Sequence, residues 1–202
     1  MRIQKVVLAS GNAGKLAEFQ QTFDSKGITL VPQSEMGVAD ADETGLSFVE
    51  NAIIKARNAC SYTRLPALAD DSGLEVDALN GAPGIYSARF AGSDTSNSDK
   101  QNNLKLLREL DGVPEEKRTA RFQCAIVFLR HTLDPTPLIC LGTWEGRILL
   151  RESGTHGFGY DPLFYVPTHD CASAELEPEV KNQLSHRGQA IRQLMRCWNY
   201  HL

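Results

Sequence analysis

The chain has 202 residues, enough for one sizeable domain, and with 42% hydrophobic and 23% charged residues it is composed to form a packed core rather than a disordered chain. Against 21 lysines and arginines stand 25 acidic residues, so the net charge of −4 makes no general field for a polyanion, and nucleic-acid binding is not the default. A small phosphorylated ligand would have to be held by a local cluster of glycine, lysine, arginine and histidine.

Cysteines at 60, 124, 140, 171 and 197 are odd in number and form no CxxC pair, which argues against a disulfide framework or a structural zinc site. Met1 runs into Arg2 and a strand-like segment without the apolar region of a signal peptide, and no stretch approaches the ~20 apolar residues of a membrane span. The expectation is a cytoplasmic protein with no membrane contact.

Residues 5–9 form a short apolar, β-branched run that predicts a buried strand, and Leu16, Ala17, Phe19 and Phe23 repeat at helical spacing after a glycine turn. Residues 28–31 predict a second strand ending at Pro32, followed by a polar loop over 34–42. Leu46, Val49, Ala52, Ile53, Ala56 and Cys60 then mark a helix over 45–60, with Thr44 as its expected N-cap. The run 67–69 predicts a brief strand ending in Asp70 and Asp71, a sharp turn, and a further extended piece over 74–78.

Residues 80–84 are turn-forming, and 85–90 are expected to be extended. Leu104, Leu107 and Leu110 predict one apolar stripe of a helix over 98–110. Residues 121–129 and 137–144, separated by a proline-containing turn, predict an antiparallel hairpin. A glycine-aromatic segment follows at 156–164, and Ile191, Leu194, Met195 and Trp198 place a last helix from near Ser185. Helices alternating with strands around a central hairpin imply an α/β protein with a mixed sheet, one domain over 1–202 drawn into two lobes around a groove.

Four segments carry chemistry. Ser10-Gly11-Asn12-Ala13-Gly14-Lys15 fails as a Walker A loop, because Ala9 stands where the first glycine belongs and Leu16 follows the lysine. A glycine turn at a helix N-terminus still presents free N–H groups and a positive dipole end to an anion, and Lys15 adds full charge; an ordinary turn with a surface lysine is the competing reading. In Ala-Asp-Asp-Ser-Gly at 69–73, adjacent strand carboxylates point to opposite faces, so one of Asp70 and Asp71 can enter a cleft while the other caps a turn. With Asp40, Asp42, Glu43 and Glu50 they offer oxygens of the kind Mg²⁺ takes; turn chemistry at Asp-Asp-Ser-Gly and a solvated loop over 40–43 are the competing reading, and the stronger one for either segment by itself. Phe158 and Tyr160 beside Gly157 and Gly159 suit stacking on a planar base, and equally the filling of a core gap. Lys181, His186 and Arg187, expected at the start of the last helix, can read the polar edge of a base or clamp phosphate, or lie in solvent.

Taken in order, Ser-Gly-Asn-Ala-Gly-Lys, the segment 42–56 beginning Asp-Glu-Thr-Gly, the segment 67–92, Gly-Phe-Gly-Tyr-Asp-Pro-Leu-Phe and Lys-Asn-Gln-Leu-Ser-His-Arg-Gly-Gln-Ala closely resemble the inosine triphosphate pyrophosphatase family. The resemblance implies Mg²⁺-dependent hydrolysis of ITP, dITP and XTP to monophosphate and pyrophosphate, clearing deaminated purines from the nucleotide pool. It also implies a homodimer whose subunits carry an elongated mixed sheet with flanking helices and two lobes around the active cleft. On it, Ser10 to Lys15 bind the triphosphate, Asp71 is general base and metal ligand, and Lys55 faces the phosphates as a catalytic cation. Ser72 touches substrate, one of Asp42 and Glu43 completes the metal site, and Phe158, Gly159, Tyr160, Asp161, Lys181, His186 and Arg187 bind the base. His156 departs from the glycine common at that position. A non-hydrolysing nucleotide-binding regulator and a nucleotidase of modified pyrimidines are the competing readings.

Overall fold

The computed structural model describes residues 3–10, 13–24, 26–92 and 98–201. In chain order the elements are β1 (Lys5–Leu8), α1 (Ala13–Asp24), β2 (Thr29–Pro32), α2 (Phe48–Thr63), β3 (Ala67–Val76), α3 (Ser98–Glu109), β4 (Thr119–Leu129), β5 (Leu138–Ile148), β6 (Phe164–Val166), β7 (Cys171–Ala172), α4 (Pro178–Leu184) and α5 (His186–His201). The strands pair in one seven-stranded sheet in the order β2-β1-β3-β4-β5-β6-β7. β1 runs parallel to β2, with Val6 opposite Leu30, and parallel to β3, with Leu8 opposite Leu68. β6 is antiparallel to β5 and to β7, with Phe164 opposite Ile148 and Tyr165 opposite Ala172, so the sheet is mixed as the sequence predicted.

The residues divide into two compact units, one made of 1–71, 124–142 and 187–202, the other of 72–123 and 143–186. In the first unit the period-2 alternation of β1, β3 and β4 feeds two apolar clusters. Val6, Leu8, Leu68, Ile126 and Phe128 pack with Phe19 and Phe23 of α1 and Leu194 and Trp198 of α5. Their neighbours Val7, Ala67, Ala69, Val127 and Leu129 turn the other way, onto Ala52, Ala56, Ala59 and Cys60 of α2. Burial on both faces explains why these strands read as continuous apolar runs rather than as an alternation. The Trp198 indole closes the first cluster edge-on to Phe23, ring centroids 5.1 Å apart, and tilted against Phe128 at 4.7 Å.

The second unit has its own core, built on Leu74 and Val76 of β3, Leu106 of α3 and Leu110 just after it, Phe122, Trp144, Ile148 and Phe164. Phe122 is its centre, 4.6 Å from the Phe164 ring and stacked on His186 at 4.8 Å.

Several local expectations are corrected. The N-cap of α2 is Ser47, not Thr44: its Oγ accepts the Glu50 N–H, while the Glu50 carboxylate accepts the Leu46 N–H at 3.0 Å and the Ser47 hydroxyl at 2.7 Å. No turn interrupts Asp-Asp-Ser-Gly; β3 is one ten-residue strand through it, because both carboxylates find cations and do not need turn amides. Residues 84–89 form a 3₁₀ helix rather than an extended segment, pinned by Ser87, whose Oγ donates to Gly84 O at 2.6 Å and accepts the Leu74 N–H at 2.8 Å. Of the stripe predicted for α3, Leu107 and Leu110 do pack into the core, the latter just past the helix end, but Leu104 is exposed and Leu106 is fully buried in its stead. Lys181 belongs to the separate short helix α4, which Ser185 ends and α5 follows.

Candidate active site

The two consecutive aspartates of β3 continue the alternation of the strand in whose middle they stand. Asp70 follows Leu68 onto the face of α1 and α5, and Asp71 follows Ala69 onto the face of α2. Each meets the cation its face provides. Asp70 Oδ2 lies 2.8 Å from Lys15 Nζ and 3.3 Å from Arg187 Nε, with the carboxylate side chain wholly buried and the guanidinium 4% exposed. Both cations stand in the first turns of their helices. Burial alone would raise the Asp70 pKa; the charges of Lys15, Arg187 and Lys55 outweigh it and hold the carboxyl well below the usual aspartate range.

Asp71 Oδ1 accepts from Lys55 Nζ at 2.9 Å, and the same ammonium lies 3.4 Å from Glu43 Oε1. Burial pushes the Asp71 carboxyl above its ordinary value, with Glu43 adding to the shift and Lys55 opposing it. Burial also opposes the Lys55 charge, yet Asp71, Asp70 and Glu43 together raise its pKa and keep it protonated. The loop carrying Glu43 is tied to α2 through Gly45, whose N–H donates to Asn51 Oδ1 at 2.8 Å. A Cβ on Gly45 would lie 2.6 Å from Glu50 Cβ and 2.7 Å from Asn51 Oδ1, so the close approach requires glycine. Asp42, one residue away from Glu43, is exposed.

Among the described residues no group of three or more histidine, cysteine or acidic side chains is placed to hold a metal ion by itself. Two carboxylates are nevertheless brought together at Lys55, and Asp71 Oδ2 is buried without a hydrogen-bond partner among the described residues. One or two carboxylates, completed by water and phosphate oxygens, is the usual protein share of a Mg²⁺ site, so this donor set fits the ion.

Of the predicted triphosphate loop, Gly11 and Asn12 lie outside the described residues. Ala13 and Gly14 open α1, Ser10 follows β1, and Lys15 is on Asp70. Ser72 is the next residue of β3 after Asp71 and is half-buried.

In the second unit, Asp161 organises the glycine-aromatic segment. Its Oδ2 accepts from Lys181 Nζ and from the Phe158 N–H at 2.8 Å, and its Oδ1 from Ser173 Oγ at 3.0 Å. Lys181 Nζ also lies 5.0 Å from the centroid of the Phe158 ring. The two aromatic residues of the segment have different fates. Phe158 is 41% exposed, whereas Tyr160 is buried and donates its hydroxyl to Ser87 O at 2.8 Å, so it serves the core and not a stacking surface. His186 is buried against Phe122.

The residue pattern alone left Asp70 and Asp71 interchangeable, the family resemblance singled out Asp71, and neither assigned a role to Asp99, Asn103 or Ser173, all of which hold this geometry. The first ambiguity had a signal, the strand alternation; contacts of the others cross 12 to 60 positions of the chain and left none.

The model of the Ham1 family matches residues 6–197. The chain belongs to the Ham1 family. Relatives named dITP/XTP pyrophosphatase include those of Vibrio parahaemolyticus, 57% identical over 192 residues and 95% of both chains, and of Vibrio cholerae, 56% identical over 195 residues and 96% of both. The solved Ham1 protein of Coxiella burnetii superposes with a TM-score of 0.92 at 49% identity, covering 98% of this chain and all of that one. That of Staphylococcus aureus superposes at 0.88 and 40% identity, covering 98% and 100%. The Ham1 architecture, a mixed sheet with flanking helices, is therefore the one described here.

Proposed function

We propose that this Ham1 protein hydrolyses the non-canonical purine nucleoside triphosphates ITP, dITP and XTP to the monophosphate and pyrophosphate with the help of Mg²⁺. The observation that carries the reading is the Asp71–Lys55–Glu43 cluster midway along β3, in a chain whose curated relatives are named dITP/XTP pyrophosphatase.

Water attacks the α-phosphorus, the bond from that phosphorus to the bridging oxygen of the β-phosphate breaks, and pyrophosphate leaves. Asp71, with a carboxyl raised by burial, orients the water and takes its proton. Bound Mg²⁺ supplies neutralisation of phosphate charge and polarisation of the phosphoryl group, held by Asp71 and Glu43. Lys55 keeps the two carboxylates together and carries a positive charge toward the phosphates. Residues 10–15 supply the triphosphate cradle, with the first turn of α1 and Lys15 directed at the leaving pyrophosphate, and Ser72 adds a hydroxyl contact.

For the base, Phe158 offers an exposed ring face, and Lys181 and His186 offer donors that favour the 6-oxygen of hypoxanthine and xanthine over the amino group of adenine. Gly159, Tyr160 and Asp161 shape the loop that carries the ring, and Arg187 contributes through its pair with Asp70. The same reading carries a homodimer in the cytoplasm, testable by sedimentation and fractionation.

The test is a substrate panel with purified protein and Mg²⁺. Pyrophosphate release from ITP should exceed that from ATP, GTP and modified pyrimidine triphosphates by orders of magnitude, and Asp71→Asn should lose ~100-fold or more in kcat while still binding IMP. Equal turnover of all purines, or near-normal kcat in Asp71→Asn, overturns the assignment.

A further inference from the structure

The backbone around Phe158 is held from outside its own segment by one face of α3. Asp99 Oδ2 accepts the Gly159 N–H at 2.8 Å, and Asn103 Nδ2, one turn further along, donates to Gly159 O at 3.2 Å. Gly159 has a left-handed φ of +61°, so its two peptide planes are turned to opposite partners, and α3 grips both. The preceding amide is also engaged: the Phe158 N–H goes to Asp161, and Phe158 O accepts the Asp161 N–H at 3.3 Å. Asn103 is buried, and its Nδ2 further donates to Glu152 Oε1 at 3.0 Å, which fixes the amide that grips the loop. The result is an exposed aromatic ring between main-chain groups of Phe158 and Gly159 that are each hydrogen-bonded within this unit.

We propose that Asp99 and Asn103 are positioning residues that clamp Gly159 and so present the Phe158 ring to the purine of the substrate. The proposal rests on the reading of residues 158–161 as the base-binding loop. The clamp acts through main-chain groups, so it governs how well any purine stacks, and leaves to other donors the choice between a 6-oxygen and a 6-amino group. A base on an aromatic ring exchanges water for ring contact only if the ring already stands in the right plane; a loop free to swing pays that ordering when substrate binds. Neither residue is among the phosphate-side groups Lys15, Lys55, Glu43 and Asp71.

Asp99 is exposed, so Asp99→Ala leaves the core packing intact, and Asp99→Asn retains an acceptor for the Gly159 N–H. The measurements are KM and kcat for ITP and the inhibition constants of IMP and of inorganic pyrophosphate. In Asp99→Ala the KM for ITP and the constant for IMP should rise about tenfold, the scale of losing one base–aromatic stack. Its kcat and the constant for pyrophosphate should stay within about twofold, and Asp99→Asn should match wild type throughout. An unchanged IMP constant in Asp99→Ala, an equal change for pyrophosphate, or a failure of Asp99→Asn to rescue overturns the clamp. Wild-type protein that neither turns over ITP nor binds IMP overturns the reading of the loop itself.

Discussion

Replacing Asp70 by asparagine removes one negative charge from a fully buried position and changes almost nothing in volume. The Arg187 guanidinium, 4% exposed, and the Lys15 ammonium, 16% exposed, then face each other across a neutral amide. Removing one partner of a buried pair costs ~3–5 kcal/mol, because the remaining charge keeps its desolvation penalty and loses its counter-ion. Partial exposure of Lys15 lets water relieve some of this, so about 3 kcal/mol is expected near neutral pH, a large part of the ~5–15 kcal/mol that holds a typical domain.

The sign of the pH dependence is fixed by the direction of the Asp70 shift. Its folded pKa lies below the ordinary value of 3.8, so the stabilisation is fully present above pH ~4 and is lost as pH falls through that value toward the folded one. The assay is urea denaturation of wild type and Asp70→Asn without added metal, in a Trp144→Phe background that leaves Trp198 of the first unit as the only tryptophan. The gap between the two proteins should be widest at pH 6–7 and narrow steadily below pH ~4, other carboxylates cancelling in the difference. A gap under ~1 kcal/mol at pH 7, or one that is the same at pH 3 as at pH 6, refutes the counter-ion role.

Three further outcomes follow from the same geometry. Lys55→Gln removes the cation 2.9 Å from Asp71, which favours the ionised carboxylate, so the Asp71 pKa rises further and the acid limb of kcat/KM moves to higher pH. A pH–rate profile displaced to lower pH contradicts this. Glu43→Gln should raise the Mg²⁺ concentration for half-maximal activity by ~10-fold or more, and Asp42→Asn by less than ~3-fold, since only Glu43 shares Lys55 with Asp71; a metal titration of the two variants in which Asp42→Asn is the more damaged reverses the assignment. At Gly157, with φ +79°, a Cβ would collide with the Asp161 carboxylate and come within 3.0 Å of Lys181 Nζ, so Gly157→Ala should cost ~1–3 kcal/mol in thermal unfolding and weaken IMP binding. Wild-type melting and affinity in that variant would show that the loop does not need its left-handed turn.

Much of this molecule was legible along the chain because its causes are local. The apolar runs of β1 and β4, the helical spacing of Ala52, Ala56 and Cys60, and the turn residues between them specify an α/β protein with a mixed sheet. Five motifs in register specify the family. The position of Lys15 in the first turn of a helix follows from the glycine turn and the apolar repeat behind it.

The resemblance names Asp71 as the working carboxylate, but the physical reason for the division of labour between Asp70 and Asp71 follows only from the folded sheet. Strand alternation sends them to opposite faces, but which face carries α1 and α5 and which carries α2 depends on packing between elements more than 100 residues apart, as in the Asp70–Arg187 pair. The same holds for Tyr160, which its buried hydrogen bond to Ser87 O, 73 positions away, commits to the core while Phe158 stays exposed. Sequence spacing carries the period of an element and the chemistry of its side chains. Which charge ends up paired, buried or facing solvent depends on what the rest of the chain brings against it, and that is a tertiary property.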